Sequence, residues 1–322
     1  VTVTFRPAKR ENTPLIAGLA GPTKSGKTLS AHRLAAGIAQ GQPVAMINTE
    51  GAKGHQYADR FEYIATDITA PFRPEKYTEA LQAALALDPR PAVVIIDSLS
   101  HMHDGPGGIL EWHEEELDRI AGEDRRRRER ATWTAWIKPK AAENEFIYTM
   151  LSADCHLILC FRAKEKIKIV TGQSPIDLGW QPIAGERVAF ETLLTLVLPP
   201  HCKGVPDLSI SEMREPFDRL IPEGAQLSEQ TGAVLANWSV GESGPAGLSR
   251  DTLSSLQAAR TEANVPAEDL RRMLADVGLE NVPDNVTLAT IKRLSEEQGL
   301  RLLSDLYALV DSQSMLELGT GS

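Results

Sequence analysis

One stretch near the start of the chain combines residue types that bind phosphate. Gly21, Pro22, Thr23, Lys24, Ser25, Gly26, Lys27 and Thr28 satisfy G-x-x-x-x-G-K-[ST]. Glycines let the backbone wrap closely, so successive N–H groups and a helix N-terminus can surround phosphate oxygens. In that pattern Lys27 lies on the β- and γ-phosphates and the Thr28 hydroxyl holds Mg²⁺. The chemistry implied is binding of ATP with Mg²⁺. A glycine-rich turn can match by accident, but an apolar run over residues 15–20 leads into this one and a helix-like run follows Thr28. That strand–loop–helix setting is the one the chemistry requires.

Two carboxylates complete the set. Asp97 ends the β-branched run 93–96, 70 residues after Lys27, where it can hold Mg²⁺ opposite Thr28. Its alternative is an aspartate that merely ends a strand. Ser98 follows it, so the chain lacks the glutamate that directly follows the metal-binding aspartate in one ATPase type. Glu50 supplies the missing base: it closes the strand after the P-loop helix, where a parallel sheet displays its reactive groups. A carboxylate beside the γ-phosphate can polarise an attacking water. The alternative is a solvated glutamate in a turn before Gly51.

The elements that must position these groups read as strands alternating with helices. Strands are expected over 15–20, 44–49, 60–66, 92–97 and 156–161, and helices over 28–39, 75–87, 109–130 and 144–153. This alternation implies a mainly parallel sheet covered on both faces. From 188 to 238 short segments with Pro and Gly turns predict an antiparallel edge. Gly241 to Leu248 reads as a linker, and 249–322 as three or four short helices punctuated by Gly278 and Pro283. The expected division is a lead-in over 1–13, a core over 14–240, a linker over 241–248 and a small helical domain over 249–322.

At 322 residues and 42% hydrophobic, the composition is that of an ordinary globular protein. No apolar stretch approaches a membrane span, the first ten residues lack a signal peptide's apolar core, and three cysteines form no framework. A cytoplasmic location and no membrane partner are therefore expected. The net charge of −10 argues against a chain that is basic throughout, yet seven basic residues against two acidic ones fall between Asp124 and Lys140. Arg125, Arg126, Arg127, Arg128, Arg130, Lys138 and Lys140 are interleaved with Trp133 and Trp136. Cations beside flat aromatic rings suit single-stranded nucleic acid. The plainer reading is a salt-laced exposed helix with its tryptophans in the core.

The P-loop, the strand ending in Asn48-Thr49-Glu50 and the strand ending in Asp97-Ser98 together resemble the RecA-type ATPase core. Residues 133–140, 156–166, 189–197 and 232–238 are similar to the core-only RecA-like ATPases of bacteriophages, some of which accompany single-strand annealing proteins. The resemblance covers roughly 13–240 and implies an α/β, RecA-like P-loop NTPase core with a small C-terminal helical domain. It further implies a Mg-dependent ATPase that acts on single-stranded DNA in phage recombination, annealing or repair, inside the bacterial host. A homo-oligomer with nucleotide at the subunit boundary is expected, with the C-terminal domain available to a recombination or replication protein. Where the family often carries a γ-phosphate-sensing glutamine, this chain has Arg162. That arginine could contact the γ-phosphate in its own subunit, reach a neighbour's nucleotide, or belong to a solvated cluster with Lys164, Lys166 and Lys168.

Phe5 and Ala8 have the F-x-x-A form by which some RecA relatives tether subunits. His101, His103, Asp104 and His113 match no standard zinc spacing and are expected in a solvated loop. Ser98 and Ser100 lack a nucleophile elbow. The acidic balance of the C-terminal part, seven Lys/Arg against twelve Asp/Glu from residue 247, disfavours DNA binding there. Two other function classes stay open: a P-loop kinase with Arg125–Arg130 as its lid, and a nucleotide-dependent scaffold with negligible turnover.

Overall fold

The computed structural model describes residues 13–168, 176–241, 250–279, 282–283, 286, 288–291, 294 and 296–319. They form two compact units. The first takes the described residues up to Asp218 with Gly224–Gly241, and the second takes Arg219–Glu223 with the described residues from 250 onward.

The first unit is an α/β sheet flanked by helices, a RecA-like P-loop NTPase core. Its strands are β1 (Ile16–Gly21), β2 (Val44–Asn48), β3 (Ile64–Asp67), β4 (Val93–Asp97), β5 (His156–Lys168), β6 (Ile176–Pro182), β7 (Leu194–Val197) and β8 (Asp207–Met213). The order across the sheet is β3-β2-β4-β5-β1-β7-β8, with β6 paired to the far half of β5. β1, β2 and β4 are buried along their whole length, as strands covered on both faces must be. β5 lies between β1 and β4, so the P-loop strand and the Asp97 strand are not neighbours.

The helices up to Ser239 are α1 (Lys27–Ala39), α2 (Pro74–Leu85), α3 (Ser100–Asp104), α4 (Ile109–Ala121), α5 (Arg125–Ala135), α6 (Ile137–Leu151), α7 (Glu186–Phe190), α8 (Phe217–Leu220) and α9 (Glu229–Ser239). Tyr77 of α2 and Phe146 of α6 are fully buried against Ile96 and Leu159 in one apolar cluster. On α1, Gly37 lets α9 approach so closely that an added Cβ would overlap the Glu229 carbonyl.

Several boundaries differ from the expected ones. The single helix expected over 109–130 is two, because Gly122 turns the chain at φ 58° and Asp124 caps α5 through the Arg127 N–H at 3.1 Å. The helix expected from 144 begins at Ile137. β5 runs on through Arg162 to Lys168 and does not stop at Phe161. The expected antiparallel edge is only partly so: β7 is parallel to β1 and fully buried, and β8 alone turns back on it. Residues 229–239 are helical because Ser228 and Thr231 form a reciprocal capping box.

In the second unit, α10 (Arg250–Ala263), α11 (Ala267–Asp276), α12 (Leu288–Ile291) and α13 (Glu296–Gly319) bury Leu256, Leu270, Leu274, Leu302 and Leu306 in a core of their own. Phe5 and Ala8, and all but Gly241 of the linker expected over 241–248, lie outside the described residues. No helix among the described residues is long and apolar enough to cross a membrane.

Candidate nucleotide site

The parallel strands deliver their C-terminal ends to one edge, where reactive groups of such sheets collect. β1 ends at Gly21 and α1 starts at Lys27, with Gly26 between them at φ 97° and Lys24 at φ 68°. A Cβ on Gly26 would meet the Gly204 N at 3.0 Å, so glycine is required there by conformation and by space. Lys27 Nζ donates to Pro22 O at 3.0 Å, which places the ammonium inside the ring of loop backbone groups. The Ser25 carbonyl accepts from the Gly204 N–H at 3.1 Å and from the Cys202 thiol at 3.2 Å. The loop after β7 thus straps the phosphate loop from behind, a role that neither residue type nor spacing disclosed.

Thr28 Oγ1 donates to Asp97 Oδ2 at 2.6 Å across 69 residues of sequence. Asp97 is 3% exposed; burial pushes its carboxyl up, against the Thr28 hydrogen bond and the Lys27 charge. A hydroxyl and a carboxylate are the hard oxygen donors that Mg²⁺ takes beside phosphate oxygens. Among the described residues no group of three or more His, Cys, Asp or Glu could hold a metal by itself. The donor set fits a cation shared with a phosphate.

Glu50 stands two residues beyond β2. Its N–H donates to Asn48 Oδ1 at 3.0 Å, and Asn48, fully buried, donates to Gly51 O at 2.8 Å and Asp67 Oδ1 at 2.6 Å. The backbone is therefore fixed while the side chain, 37% exposed, reaches the rim of the site. Asn48 is the sheet partner of Asp97, and Arg162 is the sheet partner of Gly21, the first P-loop residue. Lys27, Thr28, Asp97, Glu50 and Arg162 consequently share one edge of the sheet.

Arg162 is not one of a solvated lysine cluster. Its guanidinium donates to Asp104 Oδ2 at 3.2 Å and lies 3.3 Å from His101 Nε2, and its N–H donates to Ser100 Oγ at 2.9 Å. His101, His103 and Asp104 form α3, and they do not sit in the solvated loop expected of them. The His113 ring stacks on Trp136 at 4.1 Å, well explained without a metal.

The basic stretch divides in two. Arg128 pairs with Glu114 at 2.7 Å and with Asp118, Lys138 pairs with Glu116 at 2.9 Å, and Arg125 pairs with Glu129 at 3.3 Å. Arg127 donates to Ile120 O at 3.0 Å, and Lys140 Nζ lies 5.5 Å from the Trp136 ring centre. Arg126 and Arg130 are exposed and enter no ion pair among the described residues. They precede Trp133, 80% exposed, and Ile137, 64% exposed, at spacings of four, three and four. Arg126, Arg130 and Trp133 make one stripe on α5, and Ile137 already opens α6. Trp133 is therefore outside the core, whereas Trp136 is partly buried against it.

Residues 16–119 match the family model of an AAA domain. That stretch contains the P-loop, Glu50 and Asp97, and in it the chain is similar to P-loop ATPase-type domains. No curated protein matches the chain. Among solved structures it is similar to an ATP synthase subunit, NeqB, described as unique, from Nanoarcheaum equitans. The two are 11% identical with a TM-score of 0.41, over 93% of this chain and 72% of that one.

Proposed function

We propose that this protein binds ATP with Mg²⁺ at the Gly21–Thr28 loop, hydrolyses it, and acts on single-stranded DNA in phage recombination, annealing or repair. The observation that carries the hydrolytic part is the Thr28–Asp97 hydrogen bond at 2.6 Å, formed where Glu50 and Arg162 reach the same sheet edge. Loop N–H groups and Lys27 would hold the phosphates, and Thr28 with Asp97 would hold Mg²⁺, which supplies charge neutralisation on the phosphoryl oxygens. Glu50 would take a proton from the attacking water, and Arg162 would meet negative charge on the terminal phosphate.

The DNA part rests on the resemblance of the strand ends to phage RecA-like ATPases and on the Arg126–Arg130–Trp133 stripe. Unpaired guanidinium groups would meet backbone phosphates, and an exposed indole offers a face to a base. Arg125, Arg128 and Lys138 would act less directly, because carboxylates of α4 and α5 already neutralise them. The same pairing disfavours a kinase lid, which would have to swing those arginines over two substrates. The nucleotide would sit at the boundary between copies in a homo-oligomer, in a cytoplasmic setting, with the C-terminal helices engaging a protein partner.

Phosphate release with and without single-stranded DNA, on wild type and on Lys27→Ala, tests the reading. Release without an acceptor, abolished in the variant and altered by DNA, is expected. A rate indifferent to DNA, together with no DNA binding, would remove the recombination part and leave the nucleotide site standing.

A further inference from the structure

A histidine links the two groups expected to act on the terminal phosphate. His101 Nε2 lies 3.3 Å from Arg162 Nη1 and 3.8 Å from Glu50 Oε1, while Nδ1 lies 2.8 Å from Thr49 Oγ1. Phe72 stacks on the ring at 4.9 Å between centres and holds its plane. The side chain is 14% exposed.

The proton positions follow from donor and acceptor chemistry. A guanidinium only donates, so the Arg162 contact requires a lone pair on Nε2. The neutral ring then carries its proton on Nδ1 and gives it to Thr49 Oγ1. That oxygen also accepts the Ser98 N–H at 2.8 Å, and its single proton goes to Ser98 O at 3.1 Å. Each group in the chain Arg162–His101–Thr49–Ser98 has a consistent role. In this arrangement Nε2 offers Glu50 no hydrogen, and the carboxylate is free to accept from water. Arg162 Nη2, now on Asp104, can turn to an anion while Nη1 stays on His101; only when Nη1 also leaves can Nε2 take up a proton and donate to Glu50. One nitrogen can serve Arg162 as acceptor or Glu50 as donor, never both.

We propose that His101 is a positioning residue that couples Arg162 to Glu50, so that the place of the arginine decides whether the glutamate is free to act as base. This rests on the hydrolytic reading above and extends it. Burial holds the imidazole below its usual range; Glu50, Asp104 and Asp97 work to raise it and Arg162 to lower it. Those are the charged groups that face it from the turn after β2 and from β4, α3 and β5.

Two arms test the coupling on the full chain. The first follows the His101 resonance by NMR titration, assigned by its loss in His101→Gln, in wild type, Arg162→Ala and Glu50→Gln. The midpoint should rise by about one pH unit without Arg162 and fall by a similar amount without the Glu50 charge. The second is a double-mutant cycle on single-turnover phosphate release. His101→Gln should lower the rate about tenfold or more in wild type but leave Arg162→Ala nearly unchanged or faster, because the two changes break one link. A midpoint that stays put in both variants, or rate effects that multiply, overturns the coupling. A wild type that releases no phosphate refutes the hydrolytic reading instead, and the titration arm still decides whether His101 joins the two groups.

Discussion

Replacing Glu50 with Gln removes the proposed base, and its charge beside His101, without touching the groups that would bind the nucleotide. The side chain is 37% exposed at the rim, and the residue is anchored through its backbone N–H to Asn48 Oδ1 at 3.0 Å. Glutamine has the same shape, so the Asn48–Gly51–Asp67 network that sets the turn is untouched. Neither the phosphate loop nor the Thr28–Asp97 pair is in contact with the altered atoms. What disappears is a carboxylate able to take a proton. A positioned base is worth about 10²–10⁴-fold. At about 1.36 kcal/mol per tenfold, the variant should lose about 3–5 kcal/mol of transition-state stabilisation. The assay is single-turnover phosphate release at saturating ATP and Mg²⁺, paired with binding of a non-hydrolysable analogue. Release should fall by those factors, analogue affinity should stay within about twofold, and the melting temperature should barely move, as for a surface change within about 0.5 kcal/mol. A release rate within about threefold of wild type lies far below the expected general-base contribution and would show that Glu50 does not activate the water.

Four further outcomes concern other parts of the molecule. His32 on α1 is 2% exposed among Tyr57, Phe61 and Tyr63, and burial lowers its pKa from 6.5 to about 4. The unfolded chain therefore binds a proton more readily than the folded one between those values, and stability drops as pH falls through that window. At pH 5 the cost is about 2 kcal/mol. His32→Phe should flatten the fall in melting temperature between pH 7.5 and pH 5; an identical fall in the variant would contradict this. Gly37→Ala drives a Cβ into the Glu229 carbonyl and should cost about 1–3 kcal/mol. It is read as a drop in thermal midpoint, and an unshifted midpoint would mean that α1 and α9 can part freely. Trp133→Ala should weaken single-strand binding by about 1–3 kcal/mol, whereas Arg126→Ala and Arg130→Ala should each flatten the salt dependence by about 0.7 in slope. Arg128→Ala, which breaks pairs with Glu114 and Asp118, should lower stability more than DNA affinity; the reverse order would reassign the DNA face.

The legible parts of this chain are those whose physics is local. The P-loop is written in eight consecutive residues because a backbone cradle needs glycines at fixed intervals. Asp97 announces itself by ending a buried β-branched run. The sheet class was equally open, since strands alternating with helices leave little choice but a parallel sheet. The direction of β7 was not, because a four-residue buried strand carries no sign of its partner's direction. The break at Gly122 was masked by charged residues on both sides that continue the helical pattern. Long-range polar contacts were the least visible. Nothing at Arg162 discloses that Asp104, 58 residues earlier, will hold it, or that His101 will stand between it and Glu50. A histidine four residues after Asp97 is the one available signal, and it reads as a loop residue until α3 is seen. Composition could not sort the arginines either, because pairing with α4 depends on a helix packing that charge counts do not contain.

The central claim is that a triphosphate and Mg²⁺ dock where β1 meets α1. Its most direct test is equilibrium binding of a fluorescent, non-hydrolysable ATP analogue with and without Mg²⁺, on wild type and on Lys27→Ala. Saturable, Mg²⁺-strengthened binding that is lost in the variant, with its fold and melting temperature retained, is the predicted result. Equal binding by the two proteins, or none by a folded wild type, would contradict the account.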